Sequence, residues 1–524
     1  GLSQIGIHDN FFDLGGHSLL AVQIASRVRL AFKRDLPVRL IFDSGTVAKL
    51  AAVLERLMVS QSALEIAPLF SPTTCLDTSA QSHSVPASFN QAQIWFLQQL
   101  NPRSSVYNLA YRFRLSGNLN LLALQASLAE LVRRHAVLRT RFETSDEELV
   151  QVIGPTFLPD LPVIDLSSLP ELQREVELKK LSVAEISLPF DLARGPLLRL
   201  KLLRLASQDH VLLFGIHHII YDGGSIDVLL RDLATAYGDF CQRGEARLPD
   251  PSAQFFDFSR WQRQHLTPET VAGHLTFWRR ELVGVPPVLE LPIQRARQSS
   301  LPRRQMERGF VLSNDNTTAL RRLGQSESCT LFATLLAAFQ TLLHRYSGQS
   351  QILLGVPFAG RPGGETHNLI GFFVNSLPVK AEFSGDPAFL DLLRQVRDKL
   401  LEVQSHQELP FQKVVAEFCP QRSLDRNPLF QILIAFETLP QRPPPVSGLI
   451  FNAAEVTPTE AMFDLTLLIR DRGSDLECVF LYDAGLYDDS TIARLTEHYQ
   501  NLLAGIVANP TERVAALTAA ATLS

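Results

Sequence analysis

Two periods of hydrophobic residues alternate along most of this chain and set out its elements. Leu109 to Leu115 reads Leu-Ala-Tyr-Arg-Phe-Arg-Leu, polar and apolar in turn, which is the mark of a strand with one face buried. Val211 to Ile216 is apolar apart from Gly215 and predicts a buried strand. Strands are also predicted at 137–143, 197–205, 352–357, 429–437, 463–470 and 476–482. Helical spacing predicts helices over 119–135, 225–240, 271–283, 315–323, 330–345, 386–405 and 488–507, with a connecting region near 262–270. This alternation predicts two mixed α/β lobes of similar size, 85–264 and 265–515. Residues 1–58 read differently. Helices are predicted at 18–32 and 46–58, the second with Val47, Leu50, Ala51, Val53, Leu54 and Leu57 as its apolar stripe and Ser44-Gly45-Thr46 as its start. Residues 59–84 are rich in Ser, Thr, Pro and Ala with little periodicity, a linker composition.

Composition adds bounds. A chain of 524 residues suggests about three or four compact units. Its 46% apolar and 20% charged residues are those of an ordinary globular protein. A net charge of −5, with no basic stripe carrying interleaved aromatics, argues against a nucleic-acid partner. Five widely spaced cysteines (Cys75, Cys241, Cys329, Cys419 and Cys478) show no CxxC or Cys/His cluster, so no metal site is expected and thiols in a reducing cytosol are. No run is long and apolar enough to span a bilayer and no secretory signal pattern is present, so a cytoplasmic location is expected and a membrane partner is not.

Two strings carry candidate chemistry. His217-His218-Ile219-Ile220-Tyr221-Asp222-Gly223 follows the buried strand and precedes a helical pattern opening at Ser225. Two imidazoles at a strand end, with a carboxylate four residues after the second, can serve proton transfer near neutral pH or can simply hold a loop. Near the start, Asp9-Asn10-Phe11-Phe12-Asp13-Leu14-Gly15-Gly16-His17-Ser18-Leu19-Leu20 carries a Gly-Gly turn into a helix that Ser18 opens. Ser18 can act as an N-cap. It can equally expose its hydroxyl at a helix N-terminus that suits an incoming phosphate.

The second string closely resembles the phosphopantetheine attachment motif of peptidyl carrier proteins. With the first, it resembles the nonribosomal peptide synthetases: a carrier domain followed by a condensation domain. Further segments are similar to that family's condensation motifs, in the same order. They are Ser88-Phe89-Asn90-Gln91-Ala92-Gln93-Ile94-Trp95-Phe96, Arg134-His135-Ala136-Val137-Leu138-Arg139-Thr140-Arg141-Phe142, and Phe256-Asp257-Phe258-Ser259-Arg260-Trp261. Ile370-Gly371-Phe372-Phe373-Val374-Asn375-Ser376, His406-Gln407-Glu408-Leu409-Pro410-Phe411 and Arg426-Asn427-Pro428-Leu429 follow. The resemblance implies a four-helix carrier bundle, here N-terminally truncated, then two chloramphenicol-acetyltransferase-like lobes forming a V around a tunnel. It implies 4'-phosphopantetheine esterified to Ser18, installed by a phosphopantetheinyl transferase. It further implies donor and acceptor pantetheine-bound thioesters as substrates, with downstream adenylation and carrier domains as partners. The chain then reads as a fragment of a longer assembly-line enzyme.

Under this resemblance the amine of an aminoacyl thioester attacks a donor acyl or peptidyl thioester and a peptide bond forms. His218 is the catalytic side chain expected, as base or as positioning group, and His217 is expected to pack behind the loop. Asp222 either orients His218, as in a triad, or makes a buried ion pair with Arg139 that fixes the loop. Gly223 allows close approach, and its N–H can face the developing oxyanion. Asn375 either hydrogen-bonds between lobes or lines the tunnel. Gly224 departs from the family, where a bulky aromatic is common. The alternatives are an epimerisation domain, against which Ile226 after Ser225 counts, and a catalytically silent condensation-like recruitment platform.

Overall fold

The computed structural model describes residues 5–11, 14, 21, 24–25, 27–28, 31–32, 34, 36, 40–41, 44–60, 82–286, 288–291, 295, 297, 303–419, 426–438 and 443–517. The elements follow in chain order: α1 (Val47–Ser60), β1 (His83–Pro86), α2 (Phe89–Leu100), β2 (Asn108–Ser116), α3 (Leu121–Arg134), β3 (Thr140–Ser145), β4 (Glu148–Ile153) and β5 (Val163–Asp165). Then come α4 (Glu171–Ser187), β6 (Leu198–Ala206), β7 (Asp209–His217), α5 (Ile226–Arg243) and α6 (Phe255–His265). The second half forms α7 (Pro268–Leu282), β8 (Gln305–Leu312), α8 (Asn314–Ser326), α9 (Leu331–Ser347), β9 (Gln351–Phe358), β10 (Asn375–Glu382), α10 (Phe389–Ser405) and α11 (Phe411–Phe418). It ends with β11 (Ile432–Thr438), β12 (Ile450–Glu455), β13 (Leu465–Asp471), β14 (Leu476–Asp483) and α12 (Asp489–Ala508).

The first lobe is built on a five-stranded sheet ordered β12-β2-β7-β6-β5, with a small sheet β1-β4-β3 beside it. β7 is its central strand. Leu212, Phe214 and Ile216 join a core with α3 and α5, whereas Val211 and Leu213 join Leu178 of α4 on the opposite face. Covered on both faces, β7 is apolar from Val211 to Ile216 instead of alternating. The second lobe has a six-stranded sheet ordered β10-β9-β11-β13-β14-β8, with α9, buried from Ala333 to Leu343, packed among its core. Thr330 caps α9 by accepting the Ala333 N–H, and Gly348, at φ 67°, ends it in the left-handed region that suits glycine.

β12 belongs to the second half of the chain but pairs antiparallel with β2, Glu455 opposite Tyr111, and so extends the first lobe's sheet. The lobes are therefore joined by backbone as well as by side chains. In the N-terminal unit, Ala21, Val28, Leu36, Ile41 and Leu54 form a small core with Leu50, Val53 and Leu57 against it. Leu401 of α10 packs on that core, so the unit rests on the second lobe. Of the expected stripe on α1, Val47 is 53% exposed and Ala51 also faces out. The predicted strand at 137–143 opens instead as a 3-10 turn, Ala136–Arg139, before β3 begins.

Candidate active site

The site is assembled at the end of β7. Register places Asn108 of β2 opposite His217, the last residue of the strand, and the His218 N–H donates to Tyr107 O at 2.8 Å. From there the chain turns through a 3-10 segment, His218–Ile220, and a second one, Gly223–Ser225, into α5. The two histidines part at this turn. His217 is 1% exposed, and its Nδ1 accepts the Ile219 N–H at 3.1 Å. Its ring sits among Tyr107 and Phe190, and burial pushes its pKa down to about 3. It is neutral at any physiological pH and works as a fixed hydrogen-bond acceptor.

His218 faces the other way. It is half-buried, and its ring lies edge-on to Phe372 of the second lobe with centroids 4.9 Å apart. Nδ1 lies 2.6 Å from Tyr221 O. A carbonyl only accepts, so Nδ1 carries the proton and Nε2 is left with a lone pair. Burial lowers its pKa below the usual histidine value, against the opposing effects of the Tyr221 carbonyl and the Asp222 charge. Neutral at pH 7, with a free basic nitrogen, it has the state a proton acceptor needs.

Asp222 does not hydrogen-bond His218. Its Oδ1 accepts from Arg361 Nη2 at 2.7 Å and from Ser225 Oγ at 2.8 Å, and its Oδ2 accepts the Phe373 N–H at 3.0 Å. Both side chains of the Asp222–Arg361 pair are 4% exposed. The ion pair expected with Arg139 is thus corrected to one with Arg361. Arg139 ends the 3-10 turn before β3, where its Nη1 donates to Gly154 O at 2.5 Å within the first lobe. Arg361 follows β9 on the facing lobe, and its Nη1 also donates to Thr366 O at 2.6 Å and Leu369 O at 2.9 Å. The loop is therefore held across the cleft. Arg361 and Ser225 are site residues that the sequence reading does not single out. The available signal was an arginine in the Gly/Pro-rich run Ala359-Gly360-Arg361-Pro362-Gly363 at the end of a predicted strand.

Two glycines fit this clamp. A Cβ on Gly371 would come within 2.0 Å of the Phe255 ring, so only glycine lets that segment reach Ser225. A Cβ on Gly224 would lie 3.0 Å from Arg361 Nε, so the guanidinium fills the space beside this position. Around the Cβ direction of Gly223 nothing lies within 4 Å. Asn375 is fully engaged: Nδ2 donates to Gln407 O and Leu409 O, and Oδ1 accepts the Phe411 N–H. That amide orders the 407–411 segment, and the residue also lines a cavity beside the clamp. Gln91, within the first condensation-like motif, closes a capping box with Ser88 and donates to Ile219 O at 3.1 Å, so α2 is tied to the histidine turn.

This cavity is small, about 60 Å³, partly open to solvent, and lies between the lobes. Phe258, Trp261 and Phe373 are aromatic in its wall, and Asn90, Gln262, Arg361 and Asn375 are polar. Asn90 donates to Val374 O, while its buried Oδ1 has no partner. Ser18 lies outside the described residues. Among the described residues no group of three or more His, Cys, Asp or Glu side chains is arranged to hold a metal ion, and no single helix is long and apolar enough to cross a membrane.

Comparison with known proteins agrees with this geometry. The condensation domain family matches residues 81–522, and the phosphopantetheine attachment site family matches residues 1–54. A component of the linear gramicidin synthase of Brevibacillus parabrevis is 40% identical over 519 residues, 99% of this chain and 10% of its own length. The chain thus spans about a tenth of that relative. The X-domain from teicoplanin biosynthesis superposes with a TM-score of 0.76 at 25% identity, covering 86% of this chain and 100% of its own. A four-domain nonribosomal peptide synthetase superposes at 0.74 with 24% identity, covering 85% of this chain and 35% of its own. The chain belongs to the condensation-domain family of the nonribosomal peptide synthetases, amide-forming acyltransferases, and carries the phosphopantetheine attachment domain of that family ahead of its two lobes.

Proposed function

We propose that this chain forms a peptide bond by passing a donor acyl or peptidyl group, carried on Ser18, to the amine of an aminoacyl group on a downstream carrier. The observation that carries this reading is the state of His218: neutral, Nδ1 committed to Tyr221 O, and turned toward the cleft between lobes. When bound, the arm supplies the acyl group as a thioester, a carbonyl already activated toward an amine. His218 Nε2 accepts the attacking amine's proton as the C–N bond forms and returns it to the departing sulfur as the thioester C–S bond breaks, and the fixed Nδ1–H keeps the ring oriented as it does so. Asp222 and Arg361 hold the loop that presents it. Holding both reactants in the cleft contributes the larger share, up to about 7–11 kcal/mol where alignment is good. The open space at Gly223 gives room for the reacting carbonyl beside the loop.

The order of domains supports the direction. About 25 residues separate the carrier and the first lobe in sequence, a short tether. Tethering at that range raises the local concentration of the Ser18 arm at the nearer mouth of the cleft. Two experiments test the proposal. Phosphopantetheinyl transferase and coenzyme A should add one arm, seen by intact mass, and Ser18→Ala should add none. With a labelled aminoacyl group on Ser18 and a second aminoacyl group on a downstream carrier, the label should move downstream, lengthened by one residue. His218→Ala should lower that transfer by about 10²–10⁴-fold with the fold retained. Growth of the chain on Ser18 would reverse donor and acceptor, and near-normal transfer by His218→Ala would reduce the residue to packing.

A further inference from the structure

A second line of contacts reaches the histidine turn from the second lobe. After β12 the chain leaves the first lobe's sheet, and residues 458–461 run against the start of β8. The Gln305 N–H donates to Thr459 O at 2.9 Å and the Ala461 N–H to Arg303 O at 3.1 Å, with Arg304 and Glu460 opposite each other as an antiparallel bridge. The backbone of Glu460 thus belongs to the second lobe. Its side chain crosses to the first. Oε1 accepts the Ser105 N–H at 3.0 Å and the Ser105 hydroxyl at 3.1 Å, and Oε2 accepts the Ser104 hydroxyl.

Ser104 and Ser105 lie in the loop between α2 and β2, and both are buried. The rest of that loop is ordered around them. The Gln98 amide donates to Ser104 O at 3.0 Å, Ser104 Oγ accepts the Val106 N–H at 3.2 Å, and Ser105 O accepts the Asn108 N–H at 2.9 Å. Tyr107 sits inside this turn. Its carbonyl accepts the His218 N–H at 2.8 Å, and its ring faces that of His217 at 6.3 Å. Tyr107 follows Ser105 by two residues, so a shift of the loop reaches the His218 peptide with no helix or strand between to absorb it. The three groups that donate to Glu460 are all neutral, two hydroxyls and one backbone N–H. Bonds of this kind to a carboxylate are stronger than those between neutral groups.

We infer that Glu460 is a positioning residue for the transfer reaction: through Ser104, Ser105 and the Tyr107 carbonyl, it fixes the His218 peptide from the second lobe. This rests on the reading of His218 as the group that takes the amine's proton. The turn is then held twice across the lobes. Glu460 sets its start at His218, and Arg361 sets its end at Asp222.

Hydrogen exchange on the whole chain, read peptide by peptide by mass spectrometry, tests the contact apart from activity. Glu460→Ala should speed exchange over residues 216–221 as well as over 104–108. Glu460→Gln should leave both near wild type, because its oxygen still accepts from Ser105 and its amide can donate to Ser104 Oγ. With an aminoacyl group on Ser18 and saturating downstream carrier, Glu460→Ala should transfer about tenfold more slowly per folded molecule, with KM for that carrier unchanged. Glu460→Gln should recover the rate to within about twofold. Ser105→Ala leaves the pairing of 458–461 with β8 untouched. It should show the same pattern in milder form and add little to Glu460→Ala. Faster exchange confined to 104–108, with a normal rate, would overturn the positioning role and leave Glu460 as a staple on its loop. If exchange in Glu460→Ala rises across both lobes, the fold has failed, and Ser105→Ala decides on the same two readouts. A wild-type chain that makes no transfer would sink the reading of function, and the exchange comparison alone would then decide the contact.

Discussion

Two buried ion clusters in this molecule look alike and do different work. In one, Asp232 of α5 takes Arg134 Nε at 2.8 Å and His135 Nε2 at 3.0 Å from the end of α3, with side chains 2–9% exposed. In the other, Asp222 takes Arg361 at 2.7 Å, with both side chains 4% exposed. The first lies wholly inside one lobe and welds two helices that already pack together. The second joins the histidine turn to the opposite lobe, through residues 139 apart in sequence. Its geometry exists only while the lobes are docked. The shape of the loop that presents His218 is therefore a property of the closed cleft, not of the strand that ends in it.

The largest expected effects break this comparison directly. Asp222→Ala and Asp232→Ala each leave a buried guanidinium unpaired, and each should cost about 3–5 kcal/mol in a denaturant titration. They should separate in function. Asp232→Ala, measured where it is still folded, should keep most of its transfer activity. Asp222→Ala should lose stability and activity together, because the turn loses its anchor to Arg361 and to the Phe373 N–H. Arg361→Lys should behave like a weaker Asp222→Ala. One ammonium cannot serve Asp222, Thr366 O and Leu369 O in the plane that a guanidinium spans. If Asp232→Ala abolished transfer as fully as Asp222→Ala, the distinction between the clusters would fall.

A second effect sharpens the contrast between the two histidines. His217 has a folded pKa near 3 against an ordinary 6.5. Its depressed value means the unfolded chain takes up a proton that the folded one refuses. This contribution to stability is fully present above pH 6.5 and is lost as pH falls toward 3, at about 1.4 kcal/mol per pH unit at most. His217→Asn keeps an acceptor for the Ile219 N–H and should flatten the slope of stability over that window by about one proton. The pKa of His218 is also lowered, so the acid limb of transfer activity should have its midpoint below 6.5. His217→Asn should leave that midpoint close to its wild-type place. Asp232, held near 2 with His135 and Arg134 bonded to it, adds a separate loss between about pH 4 and pH 2.

How much of this was legible in the sequence depended on where each residue's partner lies. β7 and the turn after it could be read because a strand covered on both faces is apolar throughout and stops at a polar pair. His218 was singled out by the resemblance of its motif, since the residues alone leave an imidazole at such a stop free either to transfer a proton or to hold the loop. For Asp222 the family resemblance offers Arg139 as partner, a residue of the same lobe. The guanidinium that reaches it comes from a Gly/Pro-rich turn on the other lobe, where no periodic pattern marks a contact. α4 escapes the sequence reading for a related reason. It buries Ser182 and Glu185, the latter bonded to Arg199 and Lys201, and leaves Leu172 83% exposed, which blurs its apolar stripe. β12 escapes it because its partner, β2, lies in the other half of the chain, and a short run reading Ile-Phe-Asn-Ala-Ala-Glu carries no alternation of its own.

The smallest effect concerns the side of the histidine turn away from the clamp. Gln91 is fully buried. It accepts the Ser88 N–H at 2.9 Å to close the capping box, and it donates to Ile219 O at 3.1 Å and Gln151 Oε1 at 3.3 Å. Gln91→Ala keeps the Ser88 cap on its backbone N–H but leaves the Ser88 N–H without its acceptor and the Ile219 carbonyl without this donor, which together should cost about 1–3 kcal/mol. Gln91→Glu keeps the acceptor for Ser88 but sets a carboxylate against two oxygens, so it should be the worse of the two. Because Asp222 and Arg361 still hold the far side of the turn, Gln91→Ala should keep the pH midpoint of transfer and lower its rate less than tenfold. A shifted midpoint would show that His218 is oriented from the α2 side as well, and that the interlobe clamp alone does not set the loop.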